Sequence, residues 1–125
     1  MKENEIGTKI IASAIMIHRK LGPGLLENIY EIILSYELKK QGFNVTRQKP
    51  IPISYDGMVF NEAYKADIIV DDKVLIELKS VELIKPVHKK QLLTYLKLTK
   101  YKLGYLINFN EILLKNGITR IVNNL

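Results

Sequence analysis

Hydrophobic residues recur with a helical period in three parts of the chain. In residues 3–20 the apolar positions fall every three or four residues, at Ile6, Ile10, Ile11, Ala14, Ile15 and Ile17. This spacing predicts a helix with one buried face. The sequence Leu–Gly–Pro–Gly at residues 21–24 ends the helix, because glycine frees φ and proline cannot continue a helix.

The same period predicts two further helices. The second runs from about Leu25 to Gln41, and its apolar side comprises Leu26, Ile29, Ile33, Leu34 and Leu38. The third begins at Pro86, because proline is tolerated at the first position of a helix. It reaches about Leu98, and the residues that face the core are Leu92, Leu93 and Leu96.

Strand-like sequence fills the middle and the end of the chain. Residues 43–46 and 51–55 are two short candidates, and the prolines at positions 50 and 52 suit an edge strand. Asp56–Gly57 is a hairpin turn signal, after which a return strand leads towards Asp67. Further strands are predicted at residues 74–79, 102–109 and 118–122.

The order of these elements indicates the fold class. A helix separates the strands at 74–79 and 102–109, so these two strands are expected to pair in parallel through a right-handed crossover. The earlier strands form an antiparallel meander. We therefore expect an α/β fold in which helices flank a mixed central sheet of four or five strands.

The candidate functional side chains lie mainly between Tyr64 and Ser80, where two predicted strands are joined by an acidic turn. Alternation along the second strand puts Val74, Ile76 and Leu78 on one face and Leu75, Glu77 and Lys79 on the other. Asp67 lies in the first strand within an apolar run, where a carboxylate needs a partner. Asp71 and Asp72 resemble metal ligands, but a turn explains them better.

Two carboxylates and a lysine in one region suit a hard cation. Mg²⁺ prefers oxygen ligands and leaves other positions to water and phosphate, and a neighbouring lysine can orient water or stabilise charge on a phosphate. The alternative is a solvated strand face, which most Glu-x-Lys pairs form. Asp67 favours the metal site over this alternative.

The net charge of +6 comes from one segment of the chain. Residues 83–110 contain no acidic residue, and their six lysines are Lys85, Lys89, Lys90, Lys97, Lys100 and Lys102. The rest of the chain is neutral. Such a segment attracts polyanions such as nucleic acid, or it is a solvated face that maintains solubility. The neighbouring carboxylates favour the first interpretation.

Composition excludes several classes of protein. The chain has no cysteine, so disulfides and thiolate zinc sites are excluded. We find no signal peptide and no apolar run of membrane-spanning length. We therefore expect a cytoplasmic protein without membrane association, and one domain over residues 1–125.

Polar residues on two helices are further candidates. His88, Gln91 and Tyr95 share one face of the third helix, which either is solvated or lines the cleft beside Glu77. His88 could contact a phosphate or bond a carboxylate. Glu27 lies in the first turn of the second helix, where the helix dipole favours an acid. One turn on, Tyr30 is either a core tyrosine whose hydroxyl bonds a carboxylate or a substrate contact, and we favour the first.

These motifs together resemble a known family. Asp67, nine intervening residues and Glu77-Leu78-Lys79 resemble the PD-(D/E)xK nuclease signature in its relaxed form. The sequence LGPGLLENIY at residues 21–30 resembles the motif of the GxxExxY proteins, with Gly24, Glu27 and Tyr30 at the named spacing. The runs at residues 88–97 and 106–109 also resemble that family. The resemblance covers about residues 5 to 122 and implies a restriction-endonuclease-like fold.

The resemblance also implies roles for individual residues in a Mg²⁺- or Mn²⁺-dependent phosphodiester hydrolase. The implied metal ligands are Asp67, Glu77, the Leu78 carbonyl and Glu27. Lys79 positions the attacking water, and Gln91 assists the site. Residues expected to contact nucleic acid are Lys85, His88, Lys89, Lys90 and Tyr95, and Tyr30 supports the site.

The partner implied is nucleic acid, with DNA favoured over RNA, and a homodimer is compatible with the small size of the chain. Two other functions are compatible with the same residues. One is a nucleic-acid-binding module that keeps the nuclease fold without cutting. The other is a regulatory partner of another protein, in which the charged cluster is a buried ion-pair network.

Overall fold

The chain forms three α-helices and five β-strands, and the computed structural model describes all 125 residues. In chain order the elements are α1 (Glu3–Leu21), α2 (Glu27–Lys40), β1 (Val45–Tyr55), β2 (Met58–Val70), β3 (Val74–Lys79), α3 (Pro86–Thr99), β4 (Leu103–Asn108), a 3-10 turn (Leu114–Gly117) and β5 (Ile118–Val122). None of the helices combines the length and the hydropathy that a membrane span requires.

The strands form one mixed sheet in the order β1–β2–β3–β4–β5. All neighbours are antiparallel except β3 and β4, which pair in parallel, with Val74 opposite Leu103 and Lys79 opposite Asn108. Helix α3 connects these two strands. The expected α/β fold, with a mixed five-stranded sheet flanked by helices, is confirmed.

Alternation along β3 sends its side chains into two separate cores, as the sequence predicts. Val74, Ile76 and Leu78 belong to the larger core, together with residues of α1 and α2. Leu75 belongs to the smaller core, where it packs with Leu92 and other residues of α3. We call the two sides of the sheet the α1/α2 face and the α3 face.

Strand β1 is longer than the sequence predicts. Residues 43–46 and 51–55 were expected as separate strands, but the structure has one continuous strand from Val45 to Tyr55. Pro50 and Pro52 do not interrupt β1 because it is the edge strand of the sheet. A proline is tolerated there, where the N–H that it lacks would face solvent rather than a neighbouring strand.

The predicted apolar side of α2 is wrong in its first turn. The helix begins at Glu27, and Leu26 and Ile29 are exposed. Its buried apolar residues are Tyr30, Leu34 and Leu38. Leu25 stays in the loop because its backbone N–H donates a hydrogen bond to the Tyr30 hydroxyl, at 3.2 Å.

Strands β1 and β2 extend beyond the rest of the sheet. β3 pairs with β2 only along residues 68–70, whereas β1 pairs with β2 as far as Tyr55 and Met58 at the turn. Residues 51–64 therefore form a two-stranded extension, which we call the ribbon.

Candidate active site

Asp67 and Glu77 lie where β2 and β3 separate. Ile68 and Ile76 form the last pair of the ladder on this side. Beyond it the backbone N–H of Leu78 donates to the Asp67 carboxylate at 2.9 Å, and the N–H of Asp67 donates to the Glu77 carboxylate at 3.3 Å. Each carboxylate thus replaces a missing ladder bond, and both side chains are held in the gap between the strands.

The strand is irregular at Asp67. Ala66 packs in the smaller core and Ile68 in the larger one, although residues two apart in a regular strand share a face. On β1, Gln48 has a positive φ of 51°, and the regular pairing of β1 with β2 skips it. Its side-chain amide donates to Asp67 at 3.2 Å and to Glu31 at 2.8 Å. A positive φ at a residue other than glycine costs about 1–2 kcal/mol of stability, and residues strained in this way cluster at functional sites.

Glu27 reaches the site from α2, because a loop of two glycines places the start of the helix there. Gly22 and Gly24 have φ of 71° and 107°, which side-chain-bearing residues rarely adopt. The Tyr30 hydroxyl donates to the Gly22 carbonyl and closes the loop. The Tyr30 ring is fully buried and stacks on Phe109, with 4.4 Å between centroids. The spacing Gly24–Glu27–Tyr30 therefore has a structural explanation.

Tyr30 is a core tyrosine, as expected, but its hydroxyl bonds the loop backbone rather than a carboxylate. The prediction of a carboxylate partner is wrong, because the hydroxyl points towards the loop that precedes its own helix. Its support for the site is therefore indirect and acts through the position of Glu27.

Burial and the charge of Asp67 raise the pKa of two carboxyl groups of the site. Burial, and then the charge of Asp67, raises the pKa of Glu77 to about 8. Burial and Asp67 also raise the pKa of Glu27, while Lys79 acts in the opposite direction. No lysine or arginine nitrogen lies within 4.0 Å of any of these carboxylates. The protein therefore gathers negative charge around Asp67 without a directly paired cation.

The α3 face closes over Glu77. The Tyr64 hydroxyl donates to the Glu77 carboxylate, and the Tyr64 ring stacks on Tyr95 with 3.4 Å between centroids. Burial, and then the charge of Glu77, raises the pKa of Tyr95. Tyr95 thus lies beside the site, where the sequence analysis expected a contact with nucleic acid.

Four residues of the cluster were missed in the sequence. Glu31 is 4% exposed and accepts hydrogen bonds from Arg47 at 2.9 Å and from Gln48. The fourth is Tyr64, which bonds Glu77. Glu31 could have been found because it lies one helical turn after Glu27 on the same face. Nothing in the sequence marks Arg47 or Gln48.

The polar residues of α3 take different positions. His88 is partly buried, and its Nδ1 accepts the backbone N–H of Lys85 at 3.1 Å, which caps the helix. Gln91 is exposed, and none of the hydrogen bonds to Asp67 or Glu77 comes from it. Its assisting role stays a prediction.

The lysines of the basic segment fall into two groups. Lys85, Lys89 and Lys90 are exposed at the start of α3, which follows the end of β3 that carries the site. Lys97, Lys100 and Lys102 lie near the opposite end of the sheet, because α3 runs back about 20 Å to the start of β4. Only the first group lies at the same end of the sheet as the carboxylates.

The donor atoms at the gap suit a divalent cation. The Leu78 N–H points towards β2, and the carbonyl of a strand residue points to the same side, so it also faces the gap. No three His, Asp or Glu side chains are grouped closely enough to hold an ion by themselves. Mg²⁺ is commonly bound by one or two carboxylates, with water and phosphate in its other positions, so Asp67, Glu77 and this carbonyl fit it.

Comparison with known proteins supports the same interpretation. The model of a family described as the PD-(D/E)XK nuclease superfamily matches residues 4–121. No curated protein and no solved structure matches the chain. The narrower likeness to the GxxExxY proteins stays a prediction.

Proposed function

The chain belongs to the PD-(D/E)XK nuclease superfamily, and from this premise we propose that it is a metal-dependent nuclease that hydrolyses phosphodiester bonds. Nucleases of this superfamily generally use divalent metals. The observation that carries the proposal is the cluster of Glu27, Asp67 and Glu77. Burial, and then the charge of Asp67, raises the pKa of Glu77 and of Glu27, and no lysine or arginine pairs directly with any of the three.

Each residue of the site has a role in this proposal. Asp67, Glu77 and the Leu78 carbonyl would hold Mg²⁺ or Mn²⁺, and Glu27 extends this shell. The ion, when bound, supplies an activated water and neutralises charge on the phosphate. Lys79 forms no ion pair within 4.0 Å, so its ammonium is free to orient the water and stabilise charge that develops on the phosphate.

The start of α3 holds the nucleic acid backbone. Lys85, Lys89 and Lys90 are exposed there, and lysines bind phosphates without reading sequence. His88 and Tyr95 lie on the same helix, and Tyr95 stacks on Tyr64, whose hydroxyl bonds Glu77. DNA is the favoured substrate over RNA, and the small number of residues outside the fold favours nonspecific or structure-directed cleavage.

The experiment makes the same substitution, lysine to methionine, at a lysine of the site and at a lysine far from it. We expect Lys79→Met to lower cleavage of DNA by about 10²–10³-fold in Mg²⁺ or Mn²⁺, as is usual when a group that stabilises developing charge is removed. Lys97→Met, at the opposite end of the sheet, should retain activity. Cleavage should stop in chelator, and Asp67→Asn should abolish it while circular dichroism stays unchanged.

A non-catalytic nucleic-acid-binding module is the second candidate. It is favoured by the absence of any group of three acids that could hold an ion alone. In that case the protein would bind nucleic acid with strong salt dependence but would cut neither DNA nor RNA in any metal. Lys79→Met and Asp67→Asn would then have no activity to remove, and the nuclease proposal would fail.

A further inference from the structure

The ribbon carries an exposed apolar row along one face. Ile53 lies opposite Phe60, and Tyr55 lies opposite Met58. Because residues directly opposite in an antiparallel pair project to the same face, these four side chains form one row. Tyr55, Met58 and Phe60 are 69%, 52% and 50% exposed, so the row lacks a partner within the protein.

Along β1 this row leads back towards the candidate active site. The next pair on that side is Ile51 opposite Tyr64, and both are buried in the smaller core on the α3 face. Tyr64 also donates a hydrogen bond to the Glu77 carboxylate. The register of β1 and β2 shifts between Ile51 and Ile53, so the row lies beyond an irregularity in the ladder. Tyr55 is about 13 Å from Ile51 along β1, by the rise per residue of a strand.

The charges near the row indicate what can cover it. Lys85, Lys89 and Lys90 lie on the helix that packs on the α3 face of the sheet, where no acidic residue occurs from position 83 to position 110. The ribbon itself carries two charged residues, Asp56 and Glu62, and both are acidic. A suitable partner is therefore anionic towards these lysines and flat and apolar towards the row. A second copy of this chain fits poorly, since it would bring the same net charge of +6.

Single-stranded nucleic acid has this chemistry. Its bases are free to stack on aromatic side chains, while its phosphates bind lysines. In a duplex the bases already stack on one another, and only their edges are accessible in the grooves. We propose that the ribbon face is a stacking platform for unpaired bases, so that the substrate is a single strand or a duplex with a single-stranded flank. This inference rests on the proposed nuclease function.

A tryptophan probe tests the platform directly. The chain contains no tryptophan, so Phe60→Trp introduces a single fluorophore on the row. Val59→Trp is the matched control, because Val59 is next in sequence, is 60% exposed and projects to the opposite face. In EDTA, where a metal-dependent nuclease cannot cut, a single-stranded DNA oligonucleotide should quench the Phe60→Trp emission and leave Val59→Trp nearly unchanged. Equal quenching in both variants, or in neither, would overturn the proposal.

A binding measurement supplies the second test. The double substitution Tyr55→Ser/Phe60→Ser should weaken binding of a labelled single strand by about tenfold or more, measured by fluorescence anisotropy in EDTA. Binding of a duplex of the same length should change less than about twofold. The control Ser54→Ala/Val59→Ser, on the opposite face, should bind both as the parent does. A loss that is equal for single strand and duplex would contradict the platform.

The outcomes separate this inference from the proposed nuclease function. If the platform variants lose single-strand binding but the parent cuts nothing in any metal, the nuclease proposal alone fails. If the parent cuts and the platform variants bind normally, the platform alone fails. If the parent binds no nucleic acid, or if light scattering shows a dimer that the Tyr55→Ser/Phe60→Ser variant abolishes, the row has another partner and the platform proposal is wrong.

Discussion

Two acids of the same cluster, the buried Glu31 and the partly buried Glu77, have opposite surroundings. Glu31 accepts hydrogen bonds from Arg47 and Gln48, and the Arg47 guanidinium lies 2.8 Å from its carboxylate. Glu77 accepts only from the neutral Tyr64 hydroxyl and a backbone N–H. Burial raises the pKa of Glu77 to about 8, with a further contribution from Asp67.

The difference separates a structural acid from a candidate ligand. Glu31 is already paired with the Arg47 guanidinium. Glu31 also accepts a hydrogen bond from Gln48, and the Gln48 amide donates to Asp67 as well. The direct environment of Glu77 provides no cation, so a divalent ion can supply the missing positive charge. Glu31, which is paired with an arginine, and Glu77, which is not, are therefore expected to respond differently to substitution by glutamine.

The largest effect expected is on activity. Glu77→Gln should lower cleavage by about a hundredfold or more, because it removes a negative ligand. The same substitution should leave the metal-free protein as stable as the parent or more stable at pH 8, since it removes a charge that the fold disfavours. Cleavage assays and thermal melts in EDTA measure the two effects, and retained activity in Glu77→Gln would contradict the assignment.

The matching substitution at Glu31 should act on stability instead. Glu31→Gln leaves the Arg47 guanidinium without its carboxylate, and we expect it to lower the free energy of unfolding by about 1–3 kcal/mol. The arginine is partly exposed, which limits the cost. Urea denaturation measures this change. If Glu31→Gln were neutral and Glu77→Gln destabilising, the contrast between the two acids would be reversed.

The pH dependence of stability should distinguish the same two acids. The folded pKa of Glu77, about 8, lies above its ordinary value of 4.5, so the folded state holds the proton more tightly than the unfolded state. Stability of the metal-free protein should therefore fall as pH rises from about 4.5 to 8, by on the order of 1–3 kcal/mol. Denaturation in EDTA across this range should show the fall in the parent and a weaker one in Glu77→Gln. An identical slope in both would contradict the pKa assignment.

The smallest effect concerns Gln48, which links Glu31 to Asp67. Gln48→Ala removes the hydrogen bonds to Glu31 and Asp67 and keeps the positive φ, whereas Gln48→Gly removes the same bonds and relaxes the backbone. We expect the glycine variant to be more stable than the alanine variant by about 0.5–1 kcal/mol. The reverse order in urea denaturation would mean that the backbone at this position is unstrained.

The sequence predicts the strands that carry the candidate site better than their surroundings. Alternation along β3 correctly separates Leu75 and Glu77 from Ile76 and Leu78, because strand periodicity is local. The parallel pairing of β3 with β4 follows from the intervening helix. These features depend on residues that are close in the chain, so their pattern can be recognised without coordinates.

The rest depends on contacts that the local sequence does not encode. The link from Gln48 to Asp67 arises from a backbone kink and from the register between two strands. The exposed start of α2 follows from a loop that a tyrosine closes from inside the core. The hairpin of the ribbon was predicted from Asp56–Gly57, but the continuity of β1 from Val45 to Tyr55 was not, although an edge strand tolerates Pro50 and Pro52.

Proton release on metal binding tests the central claim most directly. At pH 7 the Glu77 carboxyl, with its pKa of about 8, carries a proton that a bound divalent ion must displace. Calorimetric titration of Mn²⁺ in buffers of different ionisation enthalpy should give close to one proton released per ion bound, and Glu77→Gln should bind weakly without this release. Absence of Mn²⁺ binding, or the same proton release in Glu77→Gln, would contradict a metal site at Asp67 and Glu77.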